Sequence, residues 1–260
     1  MSCLRDGQTL PLLFDFLFWC KGYRWVCSLS CILRFKVHSL KESTEERVLA
    51  CDDSYGPSTL ILGDSHAWDL YGVVSAASAQ PFLVGVTQGG CRPHTPKPNC
   101  HYERVLAFIE ANPDVFKRVV YEQAGFYLAK ETNGKKGSRS MFSDIPLADQ
   151  VVGIIPDDQH IESTHQFLVS LSDIVSVGWY GPRIEPHINN GEILKMGCSS
   201  DFVLRDGQER VFRNIDSIIE TITSDSTVDF LSQNEDMNFS FDDDLMSCNE
   251  IYWSDGDHFS

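Results

Sequence analysis

The sequence predicts an α/β protein, a three-layer α/β/α sandwich built on a five-stranded parallel sheet. Short apolar segments alternate with amphipathic segments of helical period along most of the chain. Strands that alternate with helices pair in parallel, because each crossover returns the chain to the same end of the sheet. With 260 residues, 42% of them hydrophobic, the chain is long enough to bury a large core.

Five segments are predicted to be strands, and four segments between them are predicted to be helices. The strands are STLILG (58–63), PFLVGVT (81–87), RVVYEQA (118–124), VSVGWYG (175–181) and TVDFLS (227–232). The helices are 66–79, 101–112, 160–174 and 208–224. In open parallel sheets the ligand site lies beyond the carboxyl ends of the strands, so we expect the functional residues at that edge.

The first 50 residues are predicted to be an extension that precedes a domain at residues 51–260. It is interpreted either as a membrane-proximal remnant or as a poorly ordered extension. An apolar run at 9–20 contains Asp15 and lacks a small-residue cleavage site, so it does not resemble a signal peptide. The polar stretch 38–48 is predicted to be a linker. No run of 18 apolar residues occurs, so the sequence contains no complete membrane-spanning helix.

The charge balance excludes two classes of partner. The chain has 21 Lys and Arg against 37 Asp and Glu, a net charge of −16. Nucleic acids and anionic lipids are bound through basic surfaces, so neither is expected as a partner.

The nine cysteines show no CxxC pair, and their spacing does not match a structural zinc site. Cys91 and Cys100 bracket a short proline-rich loop, CRPHTPKPNC. From the spacing alone they either close a small disulfide ring or remain two reduced loop cysteines. Cys198 and Cys248 are a second, less supported pair.

A serine follows the first predicted strand directly, in the sequence Gly63-Asp64-Ser65-His66. At the start of a helix, unpaired backbone N–H groups stabilise negative charge on a developing oxyanion. Asp and Ser are also frequent helix caps, so this turn alone is explained at least as well by capping.

A second motif, Asp255-Gly256-Asp257-His258, lies near the carboxyl terminus. Asp255 and His258 are three residues apart, a spacing that lets a carboxylate orient an imidazole as a base toward a nucleophile. Asp257 is the rival for the orienting role, but its adjacency to His258 predicts that its side chain points elsewhere.

Together these two motifs resemble the SGNH (GDSL-like) hydrolase superfamily over about residues 56–260. The resemblance implies a flavodoxin-like SGNH hydrolase fold in which Ser65 is the nucleophile, His258 the general base and Asp255 its orienting residue. It also implies oxyanion donors after the second and third strands. Gly89 and Gly90 both fit the first position, and we take Gly90. Gln123 stands where the family usually has Asn, and it carries the same amide donor on a longer side chain.

Three segments, two of which contain the motifs above, are similar to SGNH domains attached to bacterial type-three membrane acyltransferases. They are Leu-Gly-Asp-Ser-His-Ala at 62–67, Gly-Gly-Cys-Arg-Pro at 89–93 and Asp-Gly-Asp-His-Phe-Ser at 255–260. This resemblance implies serine-dependent O-acetyl transfer to, or ester hydrolysis on, a cell-envelope glycan such as lipopolysaccharide. It implies a location at the periplasmic face of the cytoplasmic membrane, a membrane acyltransferase as a partner, and neither cofactor nor metal. A periplasmic location favours the Cys91–Cys100 bridge.

Three other residues are candidates for substrate binding. Arg183 and His187 follow the fourth strand, where they either contact a sugar or form part of a proline-stiffened loop. His66, beside the nucleophile, either contacts substrate or packs in the first helical turn.

A different class of function stays open: a catalytically impaired glycan-binding or accessory module. Two departures from the family motivate it. Gln123 stands in place of Asn, and only two residues follow His258, whereas SGNH domains usually continue there into a helix.

Overall fold

A parallel sheet flanked by helices forms the centre of the protein, which confirms the predicted α/β class. The computed structural model describes residues 2–5, 8–11, 31–36, 42–95, 98–188, 190–197, 202–236, 244–253 and 255–259, the first two stretches as backbone only. The sheet has six strands rather than the predicted five, and every neighbouring pair in it is parallel.

The described elements follow the predicted alternation. The strands are β1 (Ser2–Arg5), β2 (Gln8–Pro11), β3 (Cys31–Phe35), β4 (Ser58–Gly63), β5 (Phe82–Thr87), β6 (Phe116–Glu122), β7 (Ala129–Glu131), β8 (Ile154–Pro156), β9 (Val177–Tyr180) and β10 (Val228–Leu231). The helices are α1 (Glu42–Tyr55), α2 (Ser65–Ala77), α3 (Tyr102–Ala111), α4 (Ser140–Ser143), α5 (Asp158–Ser172), α6 (Asn190–Met196), α7 (Gln208–Thr223) and α8 (Gln233–Asp236). A short 3₁₀ helix spans Gly125–Leu128.

The order of strands in the main sheet is β10-β9-β6-β4-β5-β3, and β1–β2 and β7–β8 form separate antiparallel pairs. Successive residues of a strand face opposite sides of the sheet. Ile61 of β4 therefore packs with Tyr71 of α2, whereas Leu60 and Leu62 enter the larger core on the other face. Helices α1, α3, α5 and α7 contribute to that core through Val48, Val105, Leu168 and Phe212. The sheet thus has helices on both faces.

The sixth strand and the helix after it differ from the prediction. Strand β3 pairs with β5 at the edge of the sheet, and α1 occupies most of the stretch predicted to be a linker. Thr44, Val48 and Cys51 are the buried residues of α1, at spacings of four and three that place them on one face. A disulfide joins Cys31 of β3 to Cys51. Residues before and after position 51 therefore both belong to the main sheet and to the helices that pack on it. Residues 12–30 lie outside the described residues.

The predicted Cys91–Cys100 bridge is confirmed. Cys248 is also disulfide-bonded, and Cys198 lies outside the described residues. Disulfides persist in oxidising compartments, which is consistent with a location outside the cytoplasm. Within the described ranges, no helix has both the length and the apolar character needed to cross a bilayer.

The strand register determines where the functional motifs meet. Gly63, the last residue of β4, is aligned with Thr87 on one side and with Glu122 on the other. The residues that follow these three strands, among them Ser65, Gly90 and Gln123, therefore lie at the same edge of the sheet.

The Cys31–Cys51 disulfide should hold the edge strand to the sheet. Replacing both cysteines with alanine reopens a loop of sequence separation 20, so we expect the free energy of unfolding to fall by about 3 kcal/mol. Urea denaturation at neutral pH measures this. Ser54→Ala, a change on the exposed side of the same helix, is the control and should shift stability by less than about 0.5 kcal/mol. Equal stability of the double variant and the parent would contradict the prediction.

Candidate active site

The turn between β4 and α2 places Ser65 at the first position of a helix. Gly63 has φ +151, and a Cβ there would collide with the carbonyl oxygen of Glu122, so only glycine allows β4 and β6 to approach this closely. Asp64 is the N-cap of α2, and its Oδ1 accepts from the N–H of His66 at 3.0 Å. Ser65 is partly exposed, and its hydroxyl makes no hydrogen bond with the described residues, so it is available to a substrate.

The Asp64 carboxylate joins three segments at this edge. Besides capping α2, it accepts from the N–H of Ala124 at 3.2 and 3.3 Å, and it lies 3.9 Å from Nη1 of Arg92. The side chain is fully buried, and this burial raises the pKa of Asp64 to about 6. The carboxylate thereby fixes Ser65 relative to the loops after β5 and β6.

Three backbone N–H groups at the serine edge of the sheet are candidates for an oxyanion site. Those of Ser65, Gly89 and Gly90 donate to no acceptor within the described residues. Gly90 has φ +71 in a tight turn closed by the N–H of Cys91, which donates to the Gln88 carbonyl at 3.0 Å. A Cβ on Gly89 would lie 3.9 Å from that of Ser65, so Gly89 is the glycine beside the serine, although the sequence favours Gly90. Unpaired N–H groups in this arrangement are suited to stabilising an oxyanion.

The side-chain amide of Gln123 is hydrogen-bonded through its oxygen but not through its nitrogen. Its side chain is buried, and its Oε1 accepts from the hydroxyl of Tyr121 at 2.6 Å. Its Nε2 has no hydrogen-bond partner within the described residues. A buried amide donor without an acceptor is unusual in a folded protein, and this one follows β6 at the same edge as Ser65. The arrangement favours the oxyanion donor over a satisfied strand-end side chain.

The carboxyl-terminal motif folds into a compact loop around His258. Nδ1 of His258 donates to Oδ1 of Asp255 at 2.9 Å, and the same oxygen accepts from the backbone N–H groups of Asp257 and His258. Asp257 does not point away as the sequence predicts, because its Oδ1 lies 3.5 Å from the same Nδ1. Burial opposes the charge on His258, but the two carboxylates outweigh it and raise the pKa of His258 to about 10.

The loop lies over the first turn of α2. The His258 ring packs edge-on against His66, with 5.1 Å between the ring centroids, and the N–H of Phe259 donates to Oδ2 of Asp69 at 3.3 Å. His66 and Asp69 follow Ser65 by one and four residues, so their side chains belong to the turn that Ser65 begins. The structure therefore brings together the two motifs that are separated by nearly 200 residues in sequence.

Arg139 is a site residue that sequence reasoning missed. Its guanidinium contacts both aspartates, Nη2 at 2.6 Å from Oδ2 of Asp255 and Nε at 2.9 Å from Oδ1 of Asp257. One planar group held by two carboxylates fixes their relative positions. Arg139 directly precedes α4, far in sequence from the Asp255–His258 motif, and nothing in its local sequence marks this contact.

Arg183 and His187 lie beneath the loop rather than at the surface. Both are buried, Arg183 with 4% of its surface exposed and His187 with 2%. Nη2 of Arg183 donates to Asp69 at 2.6 Å and to the Asp257 carbonyl at 3.0 Å, and the N–H of His187 donates to the Gly256 carbonyl at 2.7 Å. These contacts support the Asp255–His258 loop and leave neither side chain placed for the substrate contact that the sequence suggests.

His66, the third candidate for substrate binding, is fully buried between two carboxylates. Its Nδ1 lies 3.8 Å from Oε1 of Glu185 and its Nε2 lies 3.5 Å from Oδ2 of Asp257. Burial and, next, the charge of Arg183 lower the pKa of His66 to about 3. The ring is therefore neutral over the physiological range and does not reach the surface.

No family model matches the sequence, and no curated protein matches it. Among solved structures, a protein from Slackia heliotrinireducens described as "a putative SGNH hydrolase" is similar over 78% of this chain and 90% of its own. The identity is 15% and the TM-score is 0.44. Similarity at that level supports no conclusion about activity.

The disulfide loop beside the site contains a partly buried histidine, His94. Its Nδ1 lies 2.9 Å from Oγ1 of Thr164, and its ring lies 4.4 Å from that of His160. Burial, together with the proximity of His160, Arg92 and Lys136, lowers the pKa of His94 to about 3.

This shift predicts a loss of stability in acid. Between about pH 6.5 and pH 3 the unfolded chain binds a proton at His94 that the folded chain does not bind. The free energy of unfolding then falls as the pH falls, by up to about 1.4 kcal/mol per pH unit from this group. Urea denaturation at several pH values between 4 and 7 gives the slope of the free energy of unfolding against pH. In His94→Gln this slope should be smaller than in the parent by up to about 1.4 kcal/mol per pH unit. The same slope in parent and variant would show that His94 is not the group responsible.

Proposed function

We propose that the protein is a serine-dependent enzyme acting on acyl esters, with Ser65 as nucleophile, His258 as general base and Asp255 as its orienting residue. One observation carries this proposal: the Asp255–His258 pair lies over the helical turn that begins at Ser65. The parallel α/β architecture is the one that SGNH hydrolases share, and the serine stands at the carboxyl end of a central strand, where such sheets bind ligands.

In the first half-reaction the Ser65 hydroxyl oxygen attacks the acyl carbonyl carbon. Nε2 of His258 takes the hydroxyl proton, while Nδ1 stays bonded to Asp255. The carbonyl oxygen becomes an oxyanion, which the N–H groups of Ser65 and of Gly89 or Gly90 stabilise, together with Nε2 of Gln123. Expulsion of the alcohol, which takes the proton from His258, leaves an acyl group on Ser65.

In the second half-reaction a hydroxyl group attacks the carbonyl carbon of the acyl-enzyme and gives its proton to Nε2 of His258. The bond between the acyl group and the Ser65 oxygen then breaks, the acyl group leaves on the attacking oxygen, and Ser65 takes the proton back from His258. If that group is water the protein is an esterase, and if it belongs to a sugar the protein is an O-acyltransferase. The chemistry at Ser65 is the same in both cases, and exclusion of water decides between them.

The proposed substrate is an acetylated or acetyl-accepting glycan of the bacterial cell envelope. This part of the proposal rests on the sequence resemblance to acyltransferase-attached SGNH domains, as do the periplasmic location and a membrane acyltransferase as partner. The disulfides support an oxidising compartment, and the net charge of −16 argues against a nucleic acid.

The test of the serine mechanism is hydrolysis of p-nitrophenyl acetate by the purified protein. The assay is run at neutral and alkaline pH, because the paired aspartates favour the protonated ring of His258. Ser65→Ala and His258→Ala should each lower kcat by at least about 10³-fold, because nucleophile and base act as a unit. Ser75→Ala, on the same helix, is the matched control and should keep the parent rate. An acetyl group on the Ser65 peptide should be detected by mass spectrometry after rapid acid quenching.

Undiminished hydrolysis by Ser65→Ala would overturn the assignment. A parent protein that is folded by circular dichroism yet inactive on acetyl esters would support the alternative, an impaired glycan-binding or accessory module.

A second test concerns the oxyanion donor. Gln123→Leu removes the amide while keeping similar bulk, so kcat should fall about 10²-fold with little change in KM. Tyr121→Phe removes only the hydroxyl that bonds Oε1 of Gln123, and we expect less than about a tenfold effect because the donor Nε2 remains. An unchanged kcat in Gln123→Leu would exclude this residue from the oxyanion site.

A further inference from the structure

A cluster of three side chains with metal-ligating atoms includes the proposed base. One ring nitrogen each of His66 and His258 and one carboxylate oxygen of Asp257 all lie within 4.8 Å of one another. His66 and Asp257 are buried, and His258 is partly buried. Two imidazoles and one carboxylate are ligand types that Zn²⁺ prefers, with a water in the fourth position.

One separation in the cluster fits a metal better than a hydrogen bond. Nε2 of His66 is 3.5 Å from Oδ2 of Asp257. Nδ1 of His258 lies 3.5 Å from Oδ1 of Asp257, the oxygen that Arg139 contacts, and it makes an ordinary hydrogen bond to Asp255 at 2.9 Å. Hydrogen bonds between such groups are typically about 2.7–3.2 Å long. Ligands about 2.0–2.1 Å from a tetrahedral zinc ion are separated by about 3.4 Å.

His66 supplies the second, independent observation. Its side chain is fully buried, and neither ring nitrogen has a hydrogen-bond partner within the described residues. A buried imidazole that leaves both nitrogens unsatisfied is costly, and in native structures such a group calls for an explanation. Nε2 faces the free oxygen of Asp257, because Arg139 occupies the other oxygen.

The charges around the cluster favour a dication. Carboxylates outnumber guanidinium groups in the immediate contacts: Asp69, Glu185, Asp255 and Asp257 against Arg139 and Arg183. Calcium and magnesium select sites made of oxygen ligands, so the two imidazoles favour a zinc-like ion over either of them.

We propose that His66, Asp257 and His258 bind one Zn²⁺ ion, and that this ion inhibits the serine chemistry. The inhibitory part rests on the function proposed above. Coordination through Nε2 of His258 would occupy the lone pair that accepts the Ser65 proton. Coordination through Nδ1 would displace the hydrogen bond to Asp255. Either arrangement disables the base.

The experiment titrates Zn²⁺ into the 260-residue chain, freed of metal with EDTA, by isothermal titration calorimetry. We expect one Zn²⁺ per chain in the parent and in Ser65→Ala, and an affinity weaker by more than about 100-fold in His66→Gln and in Asp257→Asn. His101→Gln is the matched control, since His101 with Glu103 forms a surface pair remote from this cluster in sequence, and it should bind as the parent does. Because His66 is buried, Asp257→Asn provides the test if His66→Gln does not fold.

A spectroscopic measurement identifies the ligands independently of affinity. Co²⁺ bound in place of Zn²⁺ should give the intense visible absorption of a tetrahedral site in the parent, and Asp257→Asn should lose it. No binding by the parent, or equal binding by the parent and Asp257→Asn, would overturn the metal site.

The activity measurement separates the two proposals. If ester hydrolysis requires Ser65 and Zn²⁺ suppresses it until a chelator is added, both stand. If hydrolysis requires Ser65 but saturating Zn²⁺ leaves the rate unchanged, inhibition is refuted. If Zn²⁺ binds at these residues in a protein that hydrolyses no ester, the metal site stands and the serine mechanism fails.

Discussion

The buried carboxylate of Asp64 is the constraint on which the candidate site depends. It caps α2, bonds the N–H of Ala124 after β6 and lies near Arg92 of the disulfide loop after β5. Three crossover connections that are distant in sequence thus converge on one side chain. Burying a carboxylate is costly in free energy unless hydrogen bonds compensate the lost hydration. The charge of Asp64 therefore requires the N–H groups of His66 and Ala124 to stay at hydrogen-bond distance. Because Ser65 is the next residue, the contacts of Asp64 also determine the position of Ser65.

The loop from Asp255 to Phe259 is held from two sides by arginines. Arg183 contacts its backbone from the interior and is itself paired with Asp69 and Glu122, while Arg139 bridges both aspartates from the exposed side. Pairing of this kind makes a buried charge tolerable, and it is directional because the guanidinium is planar. The loop contains few large apolar side chains, so ion pairs and backbone hydrogen bonds, rather than packing alone, determine where His258 lies.

The sequence predicts the central strands and the main helices well, because their apolar periodicity is strong and Gly63 and the residues after it mark the first crossover. It does not predict β3, whose five residues include Arg34 at an exposed edge, or α1, whose buried stripe consists of only Thr44, Val48 and Cys51. Local patterns predict the pairing of Asp255 with His258. They do not reveal Arg139, because that contact spans more than a hundred residues and depends on tertiary folding alone. The sequence also suggests a substrate contact for Arg183, whereas the side chain is buried and paired with Asp69 and Glu122.

The position of His66 separates a structural from a functional explanation of the residues around His258. A histidine that only supported the loop would be expected to donate to Asp257 or Glu185 at hydrogen-bond distance, as His187 does to Glu185 at 2.8 Å. His66 stays beyond that distance from both carboxylates, although it is as completely buried. Unsatisfied polar groups of this kind persist where function requires them, since packing gains nothing from them. The two unsatisfied ring nitrogens of His66 lie beside the proposed base and not in the core of the sheet. A ligand-binding site is the place where such a cost would be retained.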